Sequence, residues 1–197
     1  MNSRQSGMAN RESQTRENRT GFAGPSAALR IRRACEDDAA TLCAAERETA
    51  RIPGRLVSRP DELNEAAFAC TIRELSESGS YLVAERNGAI VGHALLEFAG
   101  AIIGLAHVRS LTIVVHPGFT GQGIGTVLLK ALQDWARAAP DVKRIELRVR
   151  DGNTAALNLY TKCGFVEESR FRQRIRLPDN TLIDDIGMTW FCPEEKP

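Results

Sequence analysis

The most constraining stretch of the chain is "SLTIVVHPGFTGQGIGTVLLKALQDWARAAPDVKRIELRVR", residues 110–150. It places an apolar run, a glycine loop, a helical pattern and a second alternating run in direct succession. Leu128, Leu132 and Trp135 share one helical stripe, and Pro140 stops it. In "RIELRV", Ile145, Leu147 and Val149 fall on one face at the period of a strand. A strand, a helix and a second strand in this order demand a right-handed crossover and a parallel strand pair.

The remaining segments make the sheet mixed. "YLVAERNGAIVGHALLEF" carries two strand-like runs around Asn87-Gly88, a dipeptide suited to a type I′ hairpin. "ALRIRRA" reads as an opening strand, and Asp37 or Asp38 is placed to cap the helix that follows it. Asp61 is placed to open a second helix toward Ser78, and "FVEESRFRQRIRL" and "TLIDDIGMTWF" flank a "PDN" turn as closing strands. The order is strand, two helices, three strands, helix, strand, helix, two strands. The expected fold class is α/β: a mixed, mostly antiparallel sheet with a parallel pair, flanked by helices.

Composition narrows the function. With 197 residues, a single domain with its own core is expected over residues 27–197. Residues 1–26 are polar, poor in apolar side chains, and read as a mobile tail. A net charge of +1 gives no general attraction to nucleic acid or to an anionic membrane. No apolar run is long enough to span a bilayer. The five cysteines are odd in number and lack Cys-x-x-Cys spacing, so a cytoplasmic, reduced, metal-free protein is expected.

The glycine loop is the chemical clue. A loop entering a helix leaves several amide N–H groups without partners, and the helix dipole adds partial positive charge there. Gly121, Gly123 and Gly125 keep side chains away from those amides, so a phosphate fits; a tight turn that merely needs glycine fits as well. A Walker loop is excluded because Thr126 and Val127, not lysine, follow Gly125. A dinucleotide fingerprint is excluded because Thr126 stands where its third glycine belongs.

"VHPGFTGQGIG" resembles the acyl-CoA-binding signature of the GNAT superfamily of N-acetyltransferases, Val-x-Pro-x-x-Arg/Gln-x-x-Gly-x-Gly. Val115, Pro117, Gly123 and Gly125 match, and Thr120 replaces the usual Arg or Gln. "NTAALNLYTKCGF", residues 153–165, matches the superfamily's Asn-x-x-Ala-x-x-Leu-Tyr-x-x-x-Gly-Phe at every fixed position. The resemblance runs from about residue 27 to 191 and extends to small-molecule and amino-acid N-acetyltransferases.

This resemblance implies acetyl-CoA as co-substrate, no metal, and two strands that splay to admit pantetheine. Backbone groups of Ile113, Val114 and Val115 would hold the pantetheine arm. Thr120, Gly121, Gln122, Gly123, Ile124, Gly125 and Thr126 would surround the diphosphate, with Gln122 as a side-chain donor. Asn153 caps a helix and has a secondary cofactor contact; Tyr160 contacts the cofactor and acts as general acid. The base is open: Glu146 is one candidate, beside Glu97, His107 and a water chain. Asp184, next to Asp185, is the candidate to grip a cationic amine, and Cys163 is read as packing. The expected acceptor is a primary amine on a small molecule, an amino acid or related metabolite. A protein N-terminus or lysine, and a CoA-binding regulatory module without turnover, are the alternatives. Homodimers recur in the superfamily, so a homodimer is also expected.

Overall fold

The computed structural model describes residues 28–193. The expected tail at residues 1–26 lies outside the described residues, as do the two ends of the expected domain. Within that span the elements follow the anticipated order. They are β1 (Arg30–Arg33), α1 (Ala39–Ala50), α2 (Glu65–Ser78), β2 (Ser80–Arg86), β3 (Ala89–Phe98), β4 (Val108–Val115), α3 (Ile124–Ala138), β5 (Arg144–Arg150), α4 (Thr154–Lys162), β6 (Val166–Arg176) and β7 (Leu182–Phe191).

The seven strands form one sheet ordered β1-β2-β3-β4-β5-β7-β6. All neighbours are antiparallel except β4 and β5. The Asn87-Gly88 turn has φ of 53° and 76°, the two left-handed residues that a type I′ hairpin needs. Helices α3 and α4 cover one side of the sheet. There Leu128, Leu129 and Leu132 pack against Ile145, Leu147, Val149 and Trp190. Helices α1 and α2 cover part of the other side, where Leu42, Ile72 and Leu75 meet Tyr81, Val83 and Leu95. Each such fully buried side chain contributes about 1.5–3 kcal/mol relative to its exposed form.

Two helix starts differ from expectation. Asn64, not Asp61, caps α2, accepting the Ala67 N–H at 2.9 Å. Pro60–Glu62 is instead a separate 3-10 turn, closed by the Glu62 carboxylate on the Arg59 N–H. Asp38 does precede α1, but its carboxylate turns back to the Cys35 N–H and the Arg32 guanidinium. For Asp38 the cause is plain: nearby donors hold the acid in place of the helix amides.

The feature that positions the site is an interruption. Strands β4 and β5 pair only through Val108–Ser110 with Arg144–Glu146. Beyond that point β4 continues along β3 to Val115 opposite Gly92, and β5 continues along β7 to Arg150 opposite Asp185. The two strands diverge, leaving the facing backbone edges from Leu111 and from Leu147 onward without ladder partners.

Candidate active site

A cleft of about 1190 Å³ opens along this divergence. Ile113, Val114 and Val115 of β4 form one wall, and β5 from Arg144 to Arg150 forms the other. The glycine loop closes one end, with Thr120, Gly121, Gly123, Ile124, Gly125 and Thr126 in its lining.

The glycines do different jobs. Gly121 and Gly123 sit at φ 75° and 77°, and a methyl added at either would meet nothing within 4 Å. Their backbone is therefore both left-handed and bare toward the cleft. Gly125 is a helical residue whose added methyl would come within 2.9 Å of Leu159 Cδ2. It permits α3 and α4 to approach, so its absent side chain serves packing and not ligand access. Gln122 does not line the cleft: its Oε1 accepts from Arg86 at 2.5 Å and its Nε2 donates to the Gly118 carbonyl at 3.2 Å. The expected side-chain donor is thus spent bracing the loop against the β2–β3 hairpin.

Helix α4 brings two motif residues to the cleft. Asn153 caps it through the Ala156 N–H, and the same oxygen accepts from Arg55 at 3.0 Å. Tyr160 is buried against Phe165, with ring centroids 5.8 Å apart. Burial pushes its phenol up to about 12, and the Arg150 guanidinium partly opposes that rise. The hydroxyl therefore keeps its proton throughout the neutral range.

The open face of β5 is charged, because its alternation sends Ile145, Leu147 and Val149 into the core and their neighbours into the cleft. Arg144 lies 2.9 Å from Glu146 and 2.5 Å from Glu168, and also donates to Thr189. A hydrogen bond from Thr189 and the Arg144 charge hold Glu168 below the usual carboxylate range. The two acids around one arginine carry a net negative charge. Further along, Asp185 faces Arg148, Arg150 and Arg174 at 3.8, 3.7 and 3.6 Å. Arg148 and Arg174 both lie over the Phe171 ring, at 4.3 and 4.8 Å from its centroid. Three guanidiniums around one carboxylate leave a net positive patch.

Asp184 is not brought to this cleft. Its Oδ1 accepts the Gln173 N–H at 2.9 Å, where Gln173 has a positive φ of 51° at an irregularity in β6. It pins that bulge, and Arg170 screens its other oxygen at 3.7 Å. The expectation that Asp184 grips the substrate is therefore corrected: its carboxylate is committed to the backbone of β6. Glu97 borders a separate small cavity, and burial, then the charge of Glu74, raises its carboxyl. His107 precedes β4 and is not among the residues lining either cavity.

Sequence reading missed three groups. Arg148 and Arg55 reach the cleft from β5 and from the loop after α1. A chain of Glu46, His93 and His116 is buried beside it, with His93 fully enclosed. The available signal was slight: His93 interrupts the apolar run "IVGHALL", and His116 follows the strand that leads into the glycine loop.

Comparison with known proteins follows this geometry. The sequence profile of the Acetyltransferase (GNAT) family matches residues 36–165. The N-alpha-acetyltransferase RimI of Mycobacterium tuberculosis is 35% identical over 117 residues, covering 59% of this chain and 69% of that protein. The L-amino acid N-acyltransferase MnaT of Escherichia coli is 32% identical over 121 residues, covering 54% of this chain and 69% of that protein. Against other curated relatives the match spans about half of their length, 44% and 49% in two cases. Among solved structures, an acetyltransferase of the GNAT family from Streptococcus pneumoniae superposes with a TM-score of 0.76 at 27% identity. That superposition covers 83% of this chain and 99% of the other.

Proposed function

The chain belongs to the Acetyltransferase (GNAT) family, and from that membership we propose that it is a cytoplasmic, acetyl-CoA-dependent N-acetyltransferase whose acceptor is a free amino acid or a close relative. The observation that carries the first half is the divergence of β4 and β5 after three residue pairs. A pantetheine arm can pair with the exposed edge of β4 at Ile113–Val115 as an added strand would. The left-handed, unobstructed amides around Gly121 and Gly123 suit a diphosphate at the start of α3.

Acetyl-CoA supplies the activated acyl group. The chain supplies position and protons. Tyr160 holds a proton in a dry setting at the base of the cleft, where a departing thiolate needs one. Glu146 is gripped by Arg144, which favours charge pairing over proton acceptance.

The acceptor half rests on the charge pattern of β5. Glu146 and Arg148 stand two residues apart on the same strand face, one in the negative patch and one in the positive patch. A zwitterion carrying an ammonium and a carboxylate matches that pair, whereas a peptide N-terminus lacks the adjacent carboxylate. The similarity to an enzyme named for L-amino acids agrees with this reading, and the similarity to an N-alpha-acetyltransferase keeps peptides in the test. Thiol release should be measured with acetyl-CoA over free amino acids, their amides and short peptides. Arg148→Gln is expected to lower kcat/KM for free amino acids by about tenfold to a hundredfold, the worth of one charge-assisted hydrogen bond. The same variant should change turnover of the amides by less than about threefold. A wild-type preference for amides or peptides over free amino acids would overturn the acceptor assignment.

A further inference from the structure

Glu46, His93 and His116 are joined end to end inside the protein. His93 Nε2 lies 2.9 Å from Glu46 Oε1, His93 Nδ1 lies 3.0 Å from His116 Nε2, and His116 Nδ1 lies 3.0 Å from the Ile90 carbonyl. Each contact needs one hydrogen between its two heavy atoms. The Ile90 carbonyl can only accept, so His116 Nδ1 carries a hydrogen. Three contacts hold three hydrogens. Two neutral imidazoles contribute only two, so the third is an additional proton, and the chain as a whole is uncharged. Burial and the neighbouring His93 lower His116 to about 4, which places that extra proton between His93 and Glu46.

The location of the chain matters as much as its proton. Glu46 borders a cavity of about 210 Å³, together with Tyr81, Glu97 and Thr112, and neither histidine reaches it. Thr112 also lines the main cleft, and so does Thr49, one turn along α1 from Glu46. Tyr81 is in ring contact with the chain, and Glu97 shares the cavity that Glu46 borders. The Tyr81 ring sits 5.9 Å from His93, and its phenol is raised by burial and by Glu46, Asp38 and Glu97 in that order.

We infer that the Glu46–His93–His116 chain is the proton acceptor for the acetyl-transfer reaction, taking up the proton that the acceptor ammonium sheds, by way of Glu46 and the Thr112 wall. The inference rests on the reading of the cleft as a site of amine acetylation. The chain first gives up its extra proton through the cavity that Glu46 borders, which leaves Glu46 able to accept. The ammonium's proton passes by way of the Thr112 wall to Glu46, which borders the neighbouring cavity and not the cleft, and the amine becomes a nucleophile. The nitrogen–carbon bond then forms and the carbon–sulfur bond breaks. Tyr160 gives its proton to sulfur, and the second proton lost by nitrogen goes to the Tyr160 oxygen, so the phenol is restored. The loaded chain releases its proton to solvent and resets. Glu46 does not touch the reacting atoms in this scheme, so it is a positioning and relay residue.

Glu46→Gln tests it. The amide supplies its own hydrogen to His93, so all three contacts persist without a titratable proton. Near pH 7 kcat/KM should fall by about a hundredfold, the low end of general-base contributions. That deficit should shrink below about threefold as pH reaches the acceptor amine's own pKa, where free amine no longer needs a base. A deficit of constant size across pH is what a structural role gives, and it would overturn the relay. A second measurement needs no turnover: nitrogen NMR of labelled histidines in the substrate-free protein between pH 5 and 9. His116 should carry its hydrogen on Nδ1, for the Ile90 carbonyl, and His93 should carry one on Nδ1, for His116 Nε2. A neutral His93 with its hydrogen on Nε2 beside a neutral His116 would hold only two hydrogens and overturn the proton count. Absence of transfer to any amine, with the NMR tautomers as expected, would instead sink the functional reading and leave the shared proton standing.

Discussion

Gly123→Ala separates the two roles that the loop glycines combine. Gly123 is the N-cap of α3 at φ 77°, and an alanine held in the left-handed region costs about 1–2 kcal/mol. For a domain of this size that corresponds to about 2–8 °C in Tm. The added methyl meets no protein atom within 4 Å, so the stability loss should stop there. The methyl does stand in the space a diphosphate would share with the loop amides. Loss of one charge-assisted contact is worth about 1.5–3 kcal/mol, which raises Kd for coenzyme A about tenfold to a hundredfold. Gly125→Ala is the control, because its strain falls on Leu159 Cδ2, the far end of a flexible side chain. It should keep coenzyme A affinity within about threefold. Thermal unfolding and titration calorimetry with coenzyme A measure both quantities on the same samples. An unchanged Kd in folded Gly123→Ala would refute the assignment of this loop to the diphosphate.

Two more outcomes follow from charge and burial. Tyr160→Phe should retain coenzyme A binding and lose about a hundredfold or more in kcat across pH 6–9, since burial keeps the wild-type phenol protonated over that whole range; unchanged turnover would remove the acid role. Asp38 is held below its ordinary 3.8 chiefly by hydrogen bonds from Arg32. Its stabilisation is therefore fully present above pH of about 4 and lost as pH falls through the lower folded-state value. Denaturant unfolding between pH 6 and 2 should show this loss in the wild type and not in Asp38→Asn.

Local chemistry made much of this molecule legible. The Asn87-Gly88 turn, the Asn153 cap and the left-handed Gly164 after α4 are decided by residues within a few positions of one another. The seven-stranded mixed sheet followed from the order of such signals. What escaped reading depends on partners far along the chain. Gln122 is claimed by Arg86, 36 residues away, and Glu46 meets His93 across 47 residues. Asp184 illustrates a subtler limit. Its pairing with the Gln173 N–H arises from an irregular register between β6 and β7, and alternation along either strand gives no sign of such a register shift. Gly125 shows the same limit: its place in the loop suggests ligand access, and the neighbour that requires it, Leu159, lies on a different helix.

The short parallel seam between β4 and β5 has a mechanical consequence. The strands β1 through β4 and the strands β5, β7 and β6 form two slabs of sheet joined in the ladder by Val108–Ser110 and Arg144–Glu146 alone. The helix that lies across both slabs therefore does the joining: Leu128, Leu129 and Leu132 of α3 share one apolar core with Val91 and Leu96 of β3 and with Ile145 and Leu147 of β5. A cavity cut into that helix face would loosen the relation between the slabs as well as subtract buried surface.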